Sequence, residues 1–271
     1  MICFLGVALD KFNRSHAIGS VSGTHKALPL GMVGVKSAPL IYLNTPKSAC
    51  STIKNHLYFI EHGKYAHDPL AIHSNSGLLR TKDAGLDVVQ HFENVLSQPH
   101  LIFSFVREPG RRAYSCFSEK IVHKSKYSFQ KIRAYLVDAY GLKLEHIESS
   151  TYSLEAHAEN FAKYLRFIRD NLAGKTSVRV DPHWCSQSEI IRGYQKHFCI
   201  DFVGRVENFE RHFSFITSEF DLKHRPDFKL RFNEGPRPPF NFESILSNEV
   251  RGLLTDIYGA DYRDFGYPSS A

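Results

Sequence analysis

A strand that runs into a helix through a lysine-bearing turn constrains this chain most. Pro39-Leu40-Ile41-Tyr42-Leu43 is an apolar run that reads as a buried strand. Ile53, Leu57 and Ile60 recur at i, i+4 and i+7, the inward face of a helix. Between them lies Asn44-Thr45-Pro46-Lys47-Ser48-Ala49-Cys50-Ser51-Thr52, small and hydroxylated except for its lysine. The first N–H groups of a helix have no partner within it, and the macrodipole adds partial positive charge there. Small side chains at Ser48, Ala49 and Ser51 let a phosphate approach those amides. Lys47 adds a full charge, and Ser51 and Thr52 offer hydroxyls. The common phosphate loop, G-x-x-x-x-G-K-[ST], is absent, since no glycine occurs between Gly34 and Gly63.

A second stretch repeats the pattern. Leu101-Ile102-Phe103-Ser104-Phe105-Val106 reads as another buried strand, followed by Arg107-Glu108-Pro109-Gly110-Arg111-Arg112-Ala113-Tyr114-Ser115-Cys116-Phe117. Pro109 suits the first helical position, where its missing N–H costs nothing. Ala113, Phe117 and Ile121 make the inward face. Arg107 stands at the carboxyl end of its strand, where open α/β sheets bind ligands. Two anion sites at two strand ends suit a ligand with two separated phosphate groups. The fold expected is α/β, a single domain with a central parallel sheet flanked by helices.

The turn from Pro46 to Thr52 resembles the 5′-phosphosulfate-binding motif of sulfotransferases. Phe105-Val106-Arg107-Glu108-Pro109 with Arg112 and Ser115 resembles their 3′-phosphate motif. Asp181-Pro182-His183-Trp184 and Asp201-Phe202-Val203-Gly204-Arg205-Val206-Glu207 resemble segments of the carbohydrate sulfotransferases that modify chondroitin and dermatan. The likeness covers residues 39 to 125 and 181 to 210, and nothing aligns between 130 and 180. It implies a phosphate-loop-like sulfotransferase fold over residues 39–271, preceded by an irregular lead-in at 1–38.

The resemblance further implies 3′-phosphoadenosine 5′-phosphosulfate as co-substrate, a carbohydrate hydroxyl as acceptor and no metal. Lys47 would neutralise charge on the leaving 5′-phosphate, beside the amides of Ser48, Ala49, Cys50, Ser51 and Thr52. Arg107 and Ser115 would hold the 3′-phosphate. Arg112 either joins them or serves structure, and Arg205 either reaches the donor or pairs with Glu207. Trp184, the only tryptophan, either stacks on substrate or packs in the core. The general base falls among Glu61, His62, His67 and His73. His73 leads, with Ile72 as its anchor and Ser74 or Asn75 to fix the ring. His67, also read as bordering the acceptor, is the alternative.

Composition excludes little. The 271 residues are 42% hydrophobic and 23% charged, as in a soluble globular protein, with net charge +6 suiting anionic ligands. Five scattered cysteines without a C-x-x-C pair argue against zinc and for a reducing compartment, leaving a Cys185–Cys199 disulfide open. Met1 to Leu9 is apolar but too short to span a bilayer and lacks a basic flank. Golgi members of the family carry an anchor, so a cytoplasmic, bacterial-like enzyme is expected, the alternative being a lumenal-type domain without its anchor. Two other functions fit less well. A nucleotide kinase needs a Gly-Lys-Ser/Thr turn and a Mg²⁺ carboxylate. A non-catalytic binder of acidic glycan or nucleic acid needs clustered basic residues, which are dispersed here.

Elsewhere, residues 62–86 read as a long loop with one helical turn. Leu154, Ala158, Phe161, Leu165, Ile168 and Leu172 mark a helix ended by Gly174. Val178 to Val180 and Phe198 to Gly204 read as strands, and Phe242 to Tyr258 as the last helix.

Overall fold

The apolar run ahead of the lysine turn is a strand buried at every position. The computed structural model describes residues 31–68, 71–73, 78–80, 86–144, 152–232 and 239–269. Within them the strands are β1 (Met32–Gly34), β2 (Leu40–Leu43), β3 (Leu79–Arg80), β4 (Leu101–Val106) and β5 (Phe202–Arg205). They form one sheet in the order β3-β1-β2-β4-β5. β2 and β4 are parallel, with Leu40 opposite Leu101 and Leu43 opposite Ser104. β1 runs antiparallel to both β2 and β3, so the sheet is mixed. Only residues 35–39 join β1 to β2, too few for the crossover that parallel pairing needs. β1 lies in the stretch read as an irregular lead-in, and β3 in the long loop. At three and two residues, both are too short to show a period of two.

The helices are α1 (Cys50–His62), α2 (Leu86–Leu96), α3 (Pro109–Cys116), α4 (Gln130–Tyr140), α5 (Leu154–Leu172), α6 (Gln187–Gln195), α7 (Phe209–Ser218) and α8 (Asn248–Asp264). A π-helical segment, Phe117–Val122, continues α3. The described residues fall into two compact units. The first draws on the described residues within 31–44, 49–105 and 192–232, the second on those within 45–48, 106–191 and 239–269.

In the first unit, Ile53, Leu57 and Ile60 of α1 and Phe209 and Phe213 of α7 pack with Tyr42, Phe103 and Phe105 of the sheet. A Cβ at Gly204 would come within 2.6 Å of the Phe105 ring, so only glycine lets β5 lie there. In the second unit, Phe161, Leu165 and Ile168 of α5 bury against Phe117, Trp184, Leu254 and Tyr258. Ser153 caps α5 through Ala156 N, and Gly174 follows its end at φ 72°.

Three expected elements differ. Val178 to Val180 is not a strand, because the Asn171 amide takes the Val178 carbonyl at 2.6 Å and Val180 is exposed. The strand expected from Phe198 begins at Phe202. The last helix starts at Asn248, where Ser247 accepts from Val250 N, and runs to Asp264 with a break in helical geometry at Tyr258.

Candidate active site

β2 delivers the chain into the lysine turn. Ser48 N–H donates to Thr45 O at 3.3 Å, and α1's first bond runs from Ile53 N to Ala49 O at 2.9 Å. Lys47 and Ala49 are both left-handed, at φ 66° and 59°, without a glycine to relieve them. Such a conformation costs an L-residue about 1–2 kcal/mol. Strain of that kind persists where the surroundings over-determine it, typically at ligand sites. Ala49, the N-cap, has no side chain to offer the first-turn amides, as expected where an anion is to take them.

Lys47 is half-buried and ion-pairs with Glu119 of the π-helical segment, which also takes Lys120 Nζ at 2.7 Å. Burial pushes the Glu119 carboxyl up, but the two lysines outweigh it and hold it at about 2.

Behind the turn a buried scaffold joins it to the arginine motif. Gln187 Oε1 accepts from Ser48 Oγ at 3.0 Å and from Arg107 N at 2.9 Å, while its Nε2 donates to Arg107 O at 2.8 Å. Arg112 is 1% exposed and donates to three carbonyls, Pro46, Cys185 and Pro182, at 2.9, 2.8 and 2.7 Å. It therefore serves structure, pinning the residue before Lys47. Its guanidinium is spent on main chain, so it is not a phosphate ligand as the alternative expectation had it. The Ser48 hydroxyl proton is likewise spent on Gln187. Ahead of α3, Glu108 accepts from Gly110 N and Arg111 N with Pro109 at the first position. Arg107 and Ser115 are half-exposed, and Arg111 is an exposed partner of Glu243.

On α1, Thr52 Oγ1 donates to Phe232 O at 3.2 Å and accepts from Phe232 N at 3.0 Å. That hydroxyl holds a neighbouring segment instead of a phosphate. Ile72 is fully buried, as expected, and carries His73 against the helix. His73 Nε2 lies 2.7 Å from Ser51 Oγ, and Nδ1 lies 3.4 Å from Lys54 Nζ. An ammonium only donates, so Nδ1 presents its lone pair and Nε2 carries the hydrogen toward Ser51. Ser51 and Lys54 orient the ring, whereas the partners expected for it, Ser74 and Asn75, lie outside the described residues.

The other candidates separate. Glu61 accepts from Lys36 N, Ser37 N and Ser37 Oγ at 2.9, 3.0 and 2.9 Å, which occupies it with the turn between β1 and β2. His67 and His62 are exposed. Trp184 is fully buried, with Nε1 donating to Asn171 Oδ1 at 2.8 Å and its ring against Phe167. Its faces are covered, so it cannot stack on a substrate, and the core reading holds. Arg205 is half-buried at the end of β5, its N–H donating to His212 Nδ1 at 2.8 Å. Cys185 and Cys199 are free thiols, as are Cys50 and Cys116.

Gln187, Glu119 and Lys54 were missed in the sequence. Glu119 and Lys54 carry no signal beyond helical spacing. Gln187 has one, since Ser186-Gln187-Ser188-Glu189 is a helix-start pattern that a bare Ser-x-x-Glu search finds.

A strained lysine turn thus follows β2, and Arg107 follows its parallel neighbour β4. The chain belongs to the sulfotransferase family, whose sequence model matches residues 33–268. It is 24% identical over 243 residues to carbohydrate sulfotransferase 11 of Mus musculus, covering 84% of this chain and 64% of that protein. It is 23% identical over 239 residues to carbohydrate sulfotransferase 9 of Homo sapiens, covering 84% of this chain and 51% of that protein. The chain therefore spans about two thirds or less of these curated relatives. No solved structure matches it. Among the described residues no helix is long and apolar enough to cross a membrane, and no cluster of His, Cys, Asp and Glu could hold a metal.

Proposed function

We propose that the protein transfers a sulfuryl group from 3′-phosphoadenosine 5′-phosphosulfate to a carbohydrate hydroxyl. The observation that carries this reading is the Gln187 amide, which bonds at once to the lysine turn and to the main chain of Arg107. Cationic groups fixed by one scaffold suit a nucleotide carrying phosphate at both the 5′ and 3′ positions. Lys47 and the amides that open α1 meet the 5′ end, and Arg107 with Ser115 meets the 3′-phosphate. The residues that remain fit that donor through main-chain amides and Lys47, since the Ser48 and Thr52 hydroxyls are engaged elsewhere.

The acceptor oxygen attacks sulfur as its proton passes to His73. The bond from sulfur to the 5′-phosphate oxygen breaks, and its electron pair leaves with the phosphate. Lys47 meets the charge that develops there, a role for which one well-aimed donor is worth roughly 3 kcal/mol. On His73 the accepting atom is Nδ1, which holds the lone pair. No divalent ion enters this scheme. The likeness to the two carbohydrate sulfotransferases supports a carbohydrate acceptor. Among the described residues the four cysteines are free thiols, which supports a reducing, cytoplasmic setting.

Calorimetry with 3′-phosphoadenosine 5′-phosphate and with ADP tests the donor. The first is expected to bind at least ~10-fold more tightly, and Arg107→Ala to abolish the preference. Label from ³⁵S-donor is expected on a glycan in a panel of glycans, lipids and small alcohols, with a chelator present. Equal affinity for the two nucleotides would reject the reading.

A further inference from the structure

We propose that Gln187 is a positioning residue that sets the 5′ and 3′ anion sites in register, so that the two ends of the donor are recognised as a unit. The proposal rests on the sulfotransferase reading of Lys47 and Arg107.

Gln187 is fully buried on the first turn of α6. A primary amide carries an acceptor and a donor at one tip. Here the tip pairs with both main-chain groups of Arg107, as a neighbouring strand would, at 2.9 and 2.8 Å. The second lone pair of the same oxygen takes the Ser48 hydroxyl at 3.0 Å. Ser48 is the residue after Lys47, inside the strained turn. Arg107, held at both N–H and C=O, has the departure point of its side chain fixed.

The amide is itself anchored. Asp261 of α8 is fully buried and accepts from Gln187 N at 2.9 Å, Ser188 N at 2.8 Å and Ser186 Oγ at 2.5 Å. One carboxylate thus caps the start of α6 and fixes the residue from which the amide projects. The series of bonds runs from Asp261 through the α6 start to Gln187, then to Ser48 on one side and Arg107 on the other. Every side chain that makes it is buried. A glutamate at 187 would set oxygen against the Arg107 carbonyl, and a methionine would fill the space without pairing.

A merely structural glutamine and a positioning one differ in what they move. Loss of a structural residue lowers the folded fraction and weakens every ligand equally. Loss of a positioning residue changes the ratio of affinities for nucleotides with and without the 3′-phosphate. Calorimetry with 3′-phosphoadenosine 5′-phosphate and ADP therefore compares the intact protein, Gln187→Met, Gln187→Glu and Ser48→Ala, each checked by thermal melting. In Gln187→Met the affinity for 3′-phosphoadenosine 5′-phosphate is expected to fall ~10-fold or more and the preference over ADP to shrink at least ~3-fold, with Gln187→Glu at least as severe because its oxygen faces the Arg107 carbonyl. In an Arg107→Ala background, Gln187→Met is expected to weaken both nucleotides equally. Ser48→Ala removes one bond at a small side chain and carries the test if the Gln187 variants do not fold. It is expected to weaken both nucleotides about 3-fold while leaving adenosine 3′-monophosphate, which has no 5′-phosphate, unchanged, since it acts on the 5′ side alone. An unchanged preference in folded Gln187→Met, or in Ser48→Ala either intact affinities or an equal loss for all three nucleotides, would overturn the proposal. A wild-type protein without preference would overturn the donor reading itself, a failure seen before any variant is made.

Discussion

Lys47 is set by its local sequence, and its ion pair is set by the fold. Its place in a turn before a helix is readable from consecutive residues, yet its partner Glu119 lies 72 positions away in the chain. A carboxylate held at about 2 is a poor proton acceptor and a strong competitor for the lysine. Glu119→Gln is therefore expected to tighten 3′-phosphoadenosine 5′-phosphate binding about 3-fold or more, because the nucleotide no longer displaces an anion from Lys47. Weaker binding in that variant would show that Glu119 steadies the lysine for the donor. His73 is the second case. Its spacing from Ile72 was readable, whereas Ser51 and Lys54 came to it only through folding. His73→Ala is expected to lower kcat by about 10² or more while leaving nucleotide affinity within about twofold. Full turnover on the true acceptor would show that the base lies elsewhere, with His67 and Glu61 the next to test.

At the scale of elements, long periodic segments were readable and short ones were not. α5 runs from Leu154 to Leu172, as its apolar stripe requires, because nineteen residues repeat the period several times. β1 and β3 have too few residues to repeat anything, and they exist because the sheet supplies their partners. Helices also bury groups that sequence cannot mark. His157 of α5 sits between two tyrosines. Tyr114 gives its proton to Phe240 O, so it accepts from His157 Nε2, and Tyr152 donates to Nδ1. The ring is satisfied as a neutral base, and burial lowers its pKa to about 4. His56 of α1 is lowered to about 4 as well, by burial against the opposing bond to Leu230 O. In the unfolded chain both histidines take up protons near 6.5, whereas the folded chain resists until about 4. Their contribution is thus complete above pH 6.5 and is lost as pH falls from 6.5 toward 4, by about 1.4 kcal/mol per histidine per pH unit. Urea melts at pH 7.5 and 5.0 are expected to show that loss, reduced in His157→Gln. Equal midpoints at the two pH values would show that neither ring is held neutral.

For the molecule as a whole, the family was legible in the sequence, and so were Lys47, Arg107 and Ser115 as the residues to examine. Strand-to-helix junctions are local, and local chemistry is written in consecutive residues: apolar run, small turn, helical stripe. The mixed character of the sheet was not written there, because strand direction depends on which segments meet. Nor were the roles of Arg112, Trp184, Ser48 and Thr52, since a hydroxyl or guanidinium reads the same whether it faces a phosphate or a buried carbonyl. Folding decides that by bringing Pro182, Cys185, Gln187 and Phe232 from more than 65 residues away. Buried polar groups must find partners wherever the chain brings them. The sequence by itself determined the family and the two strand-to-helix turns that carry Lys47 and Arg107 on an α/β sheet. Only the tertiary structure decided which side chains remain to serve a ligand, because that depends on hydrogen bonds between distant residues.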